Sequence, residues 1–257
     1  SKVFVTSCYA CLAFLATLDG NAINGIVPLL EQNFNINDSQ TATIKTASSI
    51  VHTVTLAVLW ISGDYFQRRK LFISSTALWI ALSLLSILLG SESYAIFVAF
   101  RALASGAHSI ASVLEPVMIA DLFQDRALGL ALMIMTGCDM ISGNFIGILN
   151  SWIVTSGVPW QSGLIAGPLL SVIPLIGLLC SSSSIKTVER TEGRSIQKSL
   201  KGALGLFSIK SVVLLTTMTS LEMFHVVAFR FFFPSMVLAA MDAYPETFLG
   251  QSYTVFD

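Results

Sequence analysis

The stretch Leu71-Phe-Ile-Ser-Ser-Thr-Ala-Leu-Trp-Ile-Ala-Leu-Ser-Leu-Leu-Ser-Ile-Leu-Leu-Gly90 contains no Asp, Glu, Lys or Arg, and it directly follows three bases, Arg68-Arg69-Lys70. An α-helix needs about 20 mostly apolar residues to cross the hydrocarbon core of a bilayer. The stretch therefore predicts a transmembrane helix, and the three bases mark one face of the membrane.

The same pattern recurs along the chain. We predict membrane spans at about 3–30, 39–61, 71–90, 95–120, 127–150, 162–180 and 207–240. The first span contains a polar break at Asp19-Gly20-Asn21, and Pro28 marks its end. Of all residues 54% are apolar and 11% are charged, whereas soluble domains carry about 25% charged residues. The sequence predicts an all-α integral membrane protein and excludes a disordered tail and a basic nucleic-acid binder.

The basic residues predict which side of the membrane each loop occupies. Eleven of the 14 bases lie in the N-terminal stub and in loops on one side, and the loops of the other side carry only acids. The eleven are Lys2, Arg68, Arg69, Lys70, Arg126, Lys186, Arg190, Arg194, Lys198, Lys201 and Lys210. Because positively charged loops face the cytoplasm, we expect the N-terminus and the polar segment 181–206 to be cytoplasmic.

Short loops between the first six spans predict one antiparallel bundle. Residues 1–180 form this six-helix transmembrane bundle, and 181–206 form a cytoplasmic linker, either a short surface helix or an unstructured segment. Residues 207–257 contain a seventh transmembrane helix, the first helix of an incomplete C-terminal bundle. Since the chain opens with Ser, we expect it to be a fragment.

Two segments resemble signatures of the major facilitator superfamily. The loop after the second span carries Gly63, Asp64, Arg68 and Arg69 at matching positions, and the fourth span carries Arg101-Ala-Leu-Ala-Ser-Gly106. The resemblance implies a six-helix N-terminal bundle of the major facilitator type. It also implies that Asp64, Arg68 and Arg69 form a gating loop rather than a substrate site.

Further segments resemble the spinster family within this superfamily. They are Asp19 with Gly25-Ile-Val-Pro28, then Phe34-Asn-Ile-Asn-Asp-Ser-Gln40, and Pro116-Val-Met-Ile-Ala-Asp-Leu-Phe123. Spinster-like proteins are twelve-span secondary transporters of lysophospholipids or sphingosine phosphate in lysosomal, late endosomal or plasma membranes. The resemblance implies the same fold and substrate class here.

Two positions depart from the family pattern. Gly20 stands where the family has Arg, and His108 stands where it has Glu. Arg101, His108 and Glu115 are spaced by seven residues, so they share one helix face. The candidate substrate-binding or coupling residues are Asp19, Arg101, His108, Glu115, Glu222 and His225.

Charged groups at membrane depth are costly and mark functional sites by default. Arg101 can hold an anionic headgroup bidentately, His108 can titrate near neutral pH, and protons are a candidate coupling ion. Asp19 and Arg101 can equally form a structural ion pair. We expect Lys45 to snorkel to the interface without a functional role, and Asp139 to be a helix-packing polar group.

These features predict a secondary transporter of an amphipathic anion such as a lysophospholipid or sphingolipid, working by alternating access. Two alternatives remain open: a carrier of a small organic anion, and a receptor or scaffold that binds a ligand without moving it. The sequence contains no phosphate-binding Gly loop, nucleophile elbow or metal-ligand cluster. We therefore expect no enzyme activity, no cofactor, no metal and no nucleic-acid partner. The expected partners are the substrate and the membrane lipids.

Overall fold

The computed structural model describes residues 2–62 and 66–181, together with positions 205, 210, 213, 214, 217, 218 and 221. In the first two ranges the regular structure consists of seven helices. They are α1 (Lys2–Gly25), α2 (Val27–Phe34), α3 (Asp38–Ser62), α4 (Arg68–Leu88), α5 (Tyr94–Leu122), α6 (Asp125–Ser156) and α7 (Gln161–Cys180). The chain divides into two compact units, Ser1–Arg194 and Ser195–Asp257. The predicted linker and seventh span fall mostly outside the described residues and stay predictions.

The first predicted span is wrong in one detail. The polar segment at Asp19 does not break the helix, because α1 continues to Gly25 and the interruption comes at Ile26. Pro28 lies in the first turn of α2 instead of marking a helix end. Proline fits there because the first N–H groups of a helix have no intrahelical partner to lose.

The helices suit a membrane environment. Five of the described helices, α1, α3, α4, α5 and α7, are long and apolar enough to cross a bilayer, and α6 has 32 residues. Ile50, Val54 and Val58 are spaced by four on α3, and more than half of each side chain's surface is exposed. Such an apolar stripe is costly in water and favourable against lipid. The chain is an integral, multi-pass membrane protein.

The start of α3 follows from a local sequence pattern. Asn37 Oδ1 accepts a hydrogen bond from the backbone N–H of Gln40 at 2.9 Å, and Gln40 Oε1 accepts one from the N–H of Asn37 at 3.1 Å. This reciprocal pair is a capping box, which satisfies two donors at a helix start. It fixes where the chain turns back after α2.

Contacts at one end of the bundle show that α1 runs opposite to α5, and α4 opposite to α7. Lys2 Nζ, at the start of α1, donates to the carbonyl of Leu122, at the end of α5, over 2.8 Å. An Arg69 guanidinium nitrogen, at the start of α4, donates to the carbonyl of Leu178 near the end of α7 over 2.9 Å. We call this the basic end of the bundle.

The opposite end is closed by aromatic rings. Phe34 of α2 lies 5.8–5.9 Å, between ring centroids, from each of Tyr94, Phe97 and Trp160. Phe97 and Trp160 also meet edge to face at 5.7 Å. Aromatic pairs at these separations add to the stability gained from burial alone. The cluster joins α2 to α5 and to the start of α7.

Two glycines allow helices to approach closely. A Cβ atom on Gly106 of α5 would lie 2.8 Å from Val51 Cγ1 and 2.9 Å from Thr55 Oγ1 of α3. A Cβ on Gly167 of α7 would lie 3.0 Å from Asp19 Cβ of α1. Small residues at such crossings are typical of membrane helix packing. Gly167 thus places α7 directly against the part of α1 that carries Asp19.

Candidate functional site

An ion pair lies inside the bundle between α1 and α5. A terminal guanidinium nitrogen of Arg101 donates to Asp19 Oδ1 at 2.8 Å, and the other donates to the Asp19 backbone carbonyl at 2.9 Å. The side chains of Arg101 and Asp19 are only 5% and 3% exposed. The structure therefore joins the two candidates that the sequence placed on different helices.

The second oxygen of the Asp19 carboxylate is bound by α4. Trp79 Nε1 donates to Oδ2 at 3.1 Å, and the Ser83 hydroxyl donates to the same oxygen at 3.0 Å. All these groups are buried. A buried carboxylate is tolerated when donors satisfy both of its oxygens. Asp19 therefore links α1, α4 and α5 at one point.

A cavity of about 210 Å³ lies between α1, α5 and α6. It is lined by Ala13, Thr17, His108, Ser112, Glu115, Pro116, Leu132, Met135, Thr136 and Asp139. Among these lining residues are two acids and a histidine, and none is Lys or Arg. We call this space the acidic cavity.

Glu115 is the most unusual group of the acidic cavity. The residue is 7% exposed, and its Oε1 has no hydrogen-bond partner among the described residues. The next residue, Pro116, lies inside α5 and has no N–H to donate to the carbonyl of Ser112. The cavity wall on α5 thus contains an acceptor oxygen without a donor among the described residues, next to a turn that lacks one backbone N–H. Such a place suits a proton, a water molecule or a cationic group.

The seven-residue spacing on α5 is only partly reflected in the contacts. His108 and Glu115 line the same cavity, whereas Arg101 is engaged with Asp19. The His108 ring lies 5.7 Å from the Trp79 ring, measured between centroids. Trp79 therefore contacts both the Asp19 carboxylate and His108, so it connects the ion pair to the acidic cavity.

Asp139 lies at the rim of the acidic cavity on α6. Its Oδ1 accepts a hydrogen bond from the Thr17 hydroxyl of α1 at 2.8 Å, and the residue is exposed. It does link two helices, as expected for a packing group. It also adds a second carboxylate to the cavity that Glu115 lines.

Lys45 contacts a neighbouring helix, and the expectation that it snorkels to the interface stays a prediction. Its Nζ donates to the backbone carbonyl of Gly20 on α1 at 3.1 Å. Gly20 adjoins Asp19 in the chain, so the ammonium lies near the buried ion pair. Sequence reasoning missed this contact because no pattern in α3 indicates which helix the side chain reaches.

The predicted gating residues take two different partners at the basic end. Arg68 pairs with Asp121 of α5 at 3.2 Å, with about a third of each side chain exposed, and Arg69 donates to Leu178. Asp64 lies outside the described residues. So do Glu222 and His225, whose proposed role in substrate binding or coupling stays a prediction.

Three partners in these contacts were missed by sequence reasoning. Trp79 and Ser83 are spaced by four on α4, which places them on one helix face, and this spacing could have indicated a shared contact. Asp121 belongs to the 116–123 segment that carries the family resemblance. It lies near the end of α5, at the basic end of the bundle. The candidates were selected as ionisable residues inside the predicted spans, and none of these three residues meets that criterion.

Comparisons with known proteins agree with this architecture. The profile of the Major Facilitator Superfamily matches residues 9–256. The chain is 31% identical over 116 residues to protein spinster homolog 1 of Homo sapiens, covering 45% of the chain and 22% of that protein. It is 27% identical over 200 residues to the Rattus norvegicus protein of the same name, covering 74% of the chain and 36% of that protein.

A third relative carries a name that states an activity. The chain is 24% identical over 155 residues to the sphingosine-1-phosphate transporter SPNS2 of Danio rerio, covering 60% of the chain and 31% of that protein. The chain thus spans about a third or less of the length of these three relatives. With a profile match over nearly all of its residues, this chain belongs to the Major Facilitator Superfamily and is similar to its spinster-type members.

Proposed function

We propose that the full-length protein is a secondary transporter that moves an amphipathic anion across the membrane by alternating access. The acidic cavity carries this proposal. It holds Glu115, His108 and Asp139 inside a bundle whose outer surface is apolar, and ionisable groups at this depth are costly unless a translocated ion or substrate uses them. Major facilitator transporters bind substrates near the midplane, between two bundles.

The relatives support a phosphate-bearing, single-chain lipid as the substrate. The Danio rerio protein is named a sphingosine-1-phosphate transporter, and that lipid combines a phosphate, a protonated amine and one hydrocarbon chain. The two carboxylates of the acidic cavity complement an amine. Apolar residues such as Leu132 and Met135 line the same space and complement a hydrocarbon chain.

Glu115 and His108 are the proposed coupling groups. Oε1 of Glu115 has no hydrogen-bond partner among the described residues, so this oxygen can take up and release a proton without breaking a hydrogen bond to them. His108 lies beside it on the same cavity wall, and a neutral imidazole carries one hydrogen-bond donor and one acceptor. Asp19 suits this role less well, since hydrogen bonds from Arg101, Trp79 and Ser83 satisfy both of its oxygens.

The saturated Asp19 carboxylate also favours a second candidate function. A receptor that binds an amphiphile without moving it needs a rigid bundle and no coupling residue at this position. Measuring both uptake and binding distinguishes the two candidate functions, since a receptor binds the lipid but shows no uptake. Both candidates are non-enzymatic, as the superfamily and the spinster-type relatives suggest.

The proposal is tested by uptake into proteoliposomes that contain the full-length protein. Labelled sphingosine phosphate, lysophosphatidylcholine and a small organic anion are offered with and without a pH gradient. We expect uptake of a lipid and at least a tenfold loss in Glu115→Gln, since a charge-assisted contact contributes roughly 1.5–3 kcal/mol. Glu92→Gln is the matched control, because Glu92 is an exposed acid between α4 and α5.

Three results would contradict the proposal. Binding of a lipid without uptake would favour the receptor. Uptake of the small organic anion alone would favour a carrier of polar solutes. Equal uptake by the unmodified protein and by Glu115→Gln would remove the acidic cavity from the mechanism.

For the membrane and its orientation, we propose a lysosomal, late endosomal or plasma membrane, with the basic end on the cytoplasmic side. Support comes from the segregated bases and from Lys2, Arg68 and Arg69, which the contacts bring to one end of the bundle.

A further inference from the structure

The Lys45 ammonium is a cation that no acid within the described residues pairs with. Among the described residues the two ion pairs within 4.0 Å are Arg68–Asp121 and Arg101–Asp19, and neither includes Lys45. An ammonium has three N–H donors, and the hydrogen bond to the Gly20 carbonyl uses one of them. Two donors and a full positive charge are left for another group.

The Lys45 ammonium is held by a neighbouring helix. Lys45 is seven residues into α3, about 10 Å along the helix from its start at a rise of 1.5 Å per residue. Its side chain crosses to α1 and donates to the backbone carbonyl of the residue that follows Asp19. The charge is thus held next to the buried ion pair.

The region around Gly20 has room for a ligand group. Gly20 is exposed, and no atom outside its own neighbourhood in the helix lies within 4 Å of the position of a Cβ atom there. The open space adjoins the carbonyl that Lys45 contacts. A headgroup can therefore approach the ammonium without displacing a side chain at position 20.

The local charges favour an anion. Arg101 and Asp19 neutralise each other, and donors from α4 satisfy the remaining Asp19 oxygen. Lys45 then leaves an excess of one positive charge in this group of three residues. An unpaired charge within a membrane helix needs a partner, and a lysine ammonium binds phosphate well as a point charge.

We propose that Lys45 binds the anionic headgroup, a phosphate, of the amphiphile that the protein carries. The inference rests on the proposed function and assigns its headgroup site to α3 and Gly20. It replaces Arg101 as the headgroup residue, because the Asp19 carboxylate at 2.8 Å already neutralises the charge of Arg101. Arg101 then holds α1 and α5 together while Lys45 contacts the substrate.

The test compares two lipids that differ only in the phosphate. Binding of sphingosine phosphate and of sphingosine is measured on the full-length protein in lipid nanodiscs. We expect Lys45→Gln to weaken the binding of sphingosine phosphate about ten- to a hundredfold and to leave sphingosine unchanged. Lys45→Arg should retain most of the affinity, and excess inorganic phosphate should compete only weakly because it lacks the hydrocarbon chain.

A matched control and a rescue accompany the test. Lys2→Gln removes another lysine that donates to a carbonyl of a different helix, and it should leave both affinities unchanged. Adding Gly20→Arg to Lys45→Gln should restore the binding of sphingosine phosphate, because the open space at Gly20 accepts a basic side chain. The melting temperature of each variant shows that it is folded.

The outcomes separate the site from the proposed function. If the unmodified protein binds neither lipid, both the proposed function and the Lys45 site are refuted. If it binds sphingosine phosphate and Lys45→Gln binds it equally well, the site alone is refuted. Equal losses for the two lipids would also refute it, since the effect would then be independent of the phosphate. Competition by inorganic phosphate as strong as that by the lipid would identify a site for free anions instead.

Discussion

Breaking the ion pair between Asp19 and Arg101 measures how much this pair contributes to the free energy of unfolding. In Asp19→Asn, the amide NH₂ must face either Arg101 or Trp79 and Ser83, and each of these sides presents hydrogen-bond donors. Arg101 keeps one bond, to the backbone carbonyl of residue 19, but its charge loses the carboxylate. Removing one member of a buried pair costs about 3–5 kcal/mol, so we expect this loss of stability from Asp19→Asn.

The reverse change, Arg101→Gln, should cost a similar amount. It leaves the Asp19 carboxylate charged and only 3% exposed, with one oxygen bound by α4 and the other without its guanidinium. The double variant has no charge left at this pair, so its loss should resemble that of one single variant. The coupling energy from the cycle is then about 3–5 kcal/mol, far from additive.

The assay is a double-mutant cycle of unfolding free energy on detergent-solubilised full-length protein, with lipid binding measured in parallel. The Arg68–Asp121 pair is the matched control, since its side chains are 32% and 30% exposed and its coupling should be about 0–1 kcal/mol. Additive losses from Asp19→Asn and Arg101→Gln would refute the structural role. Recovered stability together with retained lipid affinity would exclude Arg101 as the headgroup residue.

Two further predictions concern packing and orientation. Gly106→Ala should destabilise the protein by about 1–3 kcal/mol, because its Cβ would lie 2.8 Å from Val51 Cγ1. The control Gly129→Ala, whose Cβ would meet no described atom within 4 Å, should be neutral or slightly stabilising in thermal melts. Equal effects of the two variants would contradict the close crossing of α3 and α5. A cysteine at position 126 in place of Arg126 should react with an impermeant thiol reagent only when the reagent has access to the cytoplasmic side of the membrane. A cysteine in place of Glu92 should react only from the opposite side. Reversed labelling would contradict the proposed topology.

The helices were largely predictable because a bilayer constrains both length and composition. The span predicted at 71–90 corresponds to α4 at Arg68–Leu88, and that predicted at 95–120 to α5 at Tyr94–Leu122. Hydropathy reports whether a residue tolerates lipid but not the local backbone path. This explains the error in the first span, where polar residues at Asp19 suggested a break that internal hydrogen bonds make unnecessary.

The candidate site was less predictable because it depends on contacts between helices. Sequence spacing placed Arg101 and Glu115 on one face of α5. It could not show that Arg101 pairs with Asp19, or that no described group donates a hydrogen bond to Glu115 Oε1. Lys45 was assigned no role, since its neighbour Gly20 lies 25 residues away in the chain. Sequence periodicity describes one helix at a time, whereas these contacts join residues on two different helices.

The Asp19 carboxylate also sets an order of events during synthesis. Its partners Trp79, Ser83 and Arg101 follow it by 60, 64 and 82 residues, so α1 leaves the ribosome long before any of them exists. A lone Asp at the centre of a helix disfavours membrane insertion by roughly 2.5–3.5 kcal/mol. We therefore expect the first helix to reach its final depth late, when α4 and α5 arrive to supply these donors.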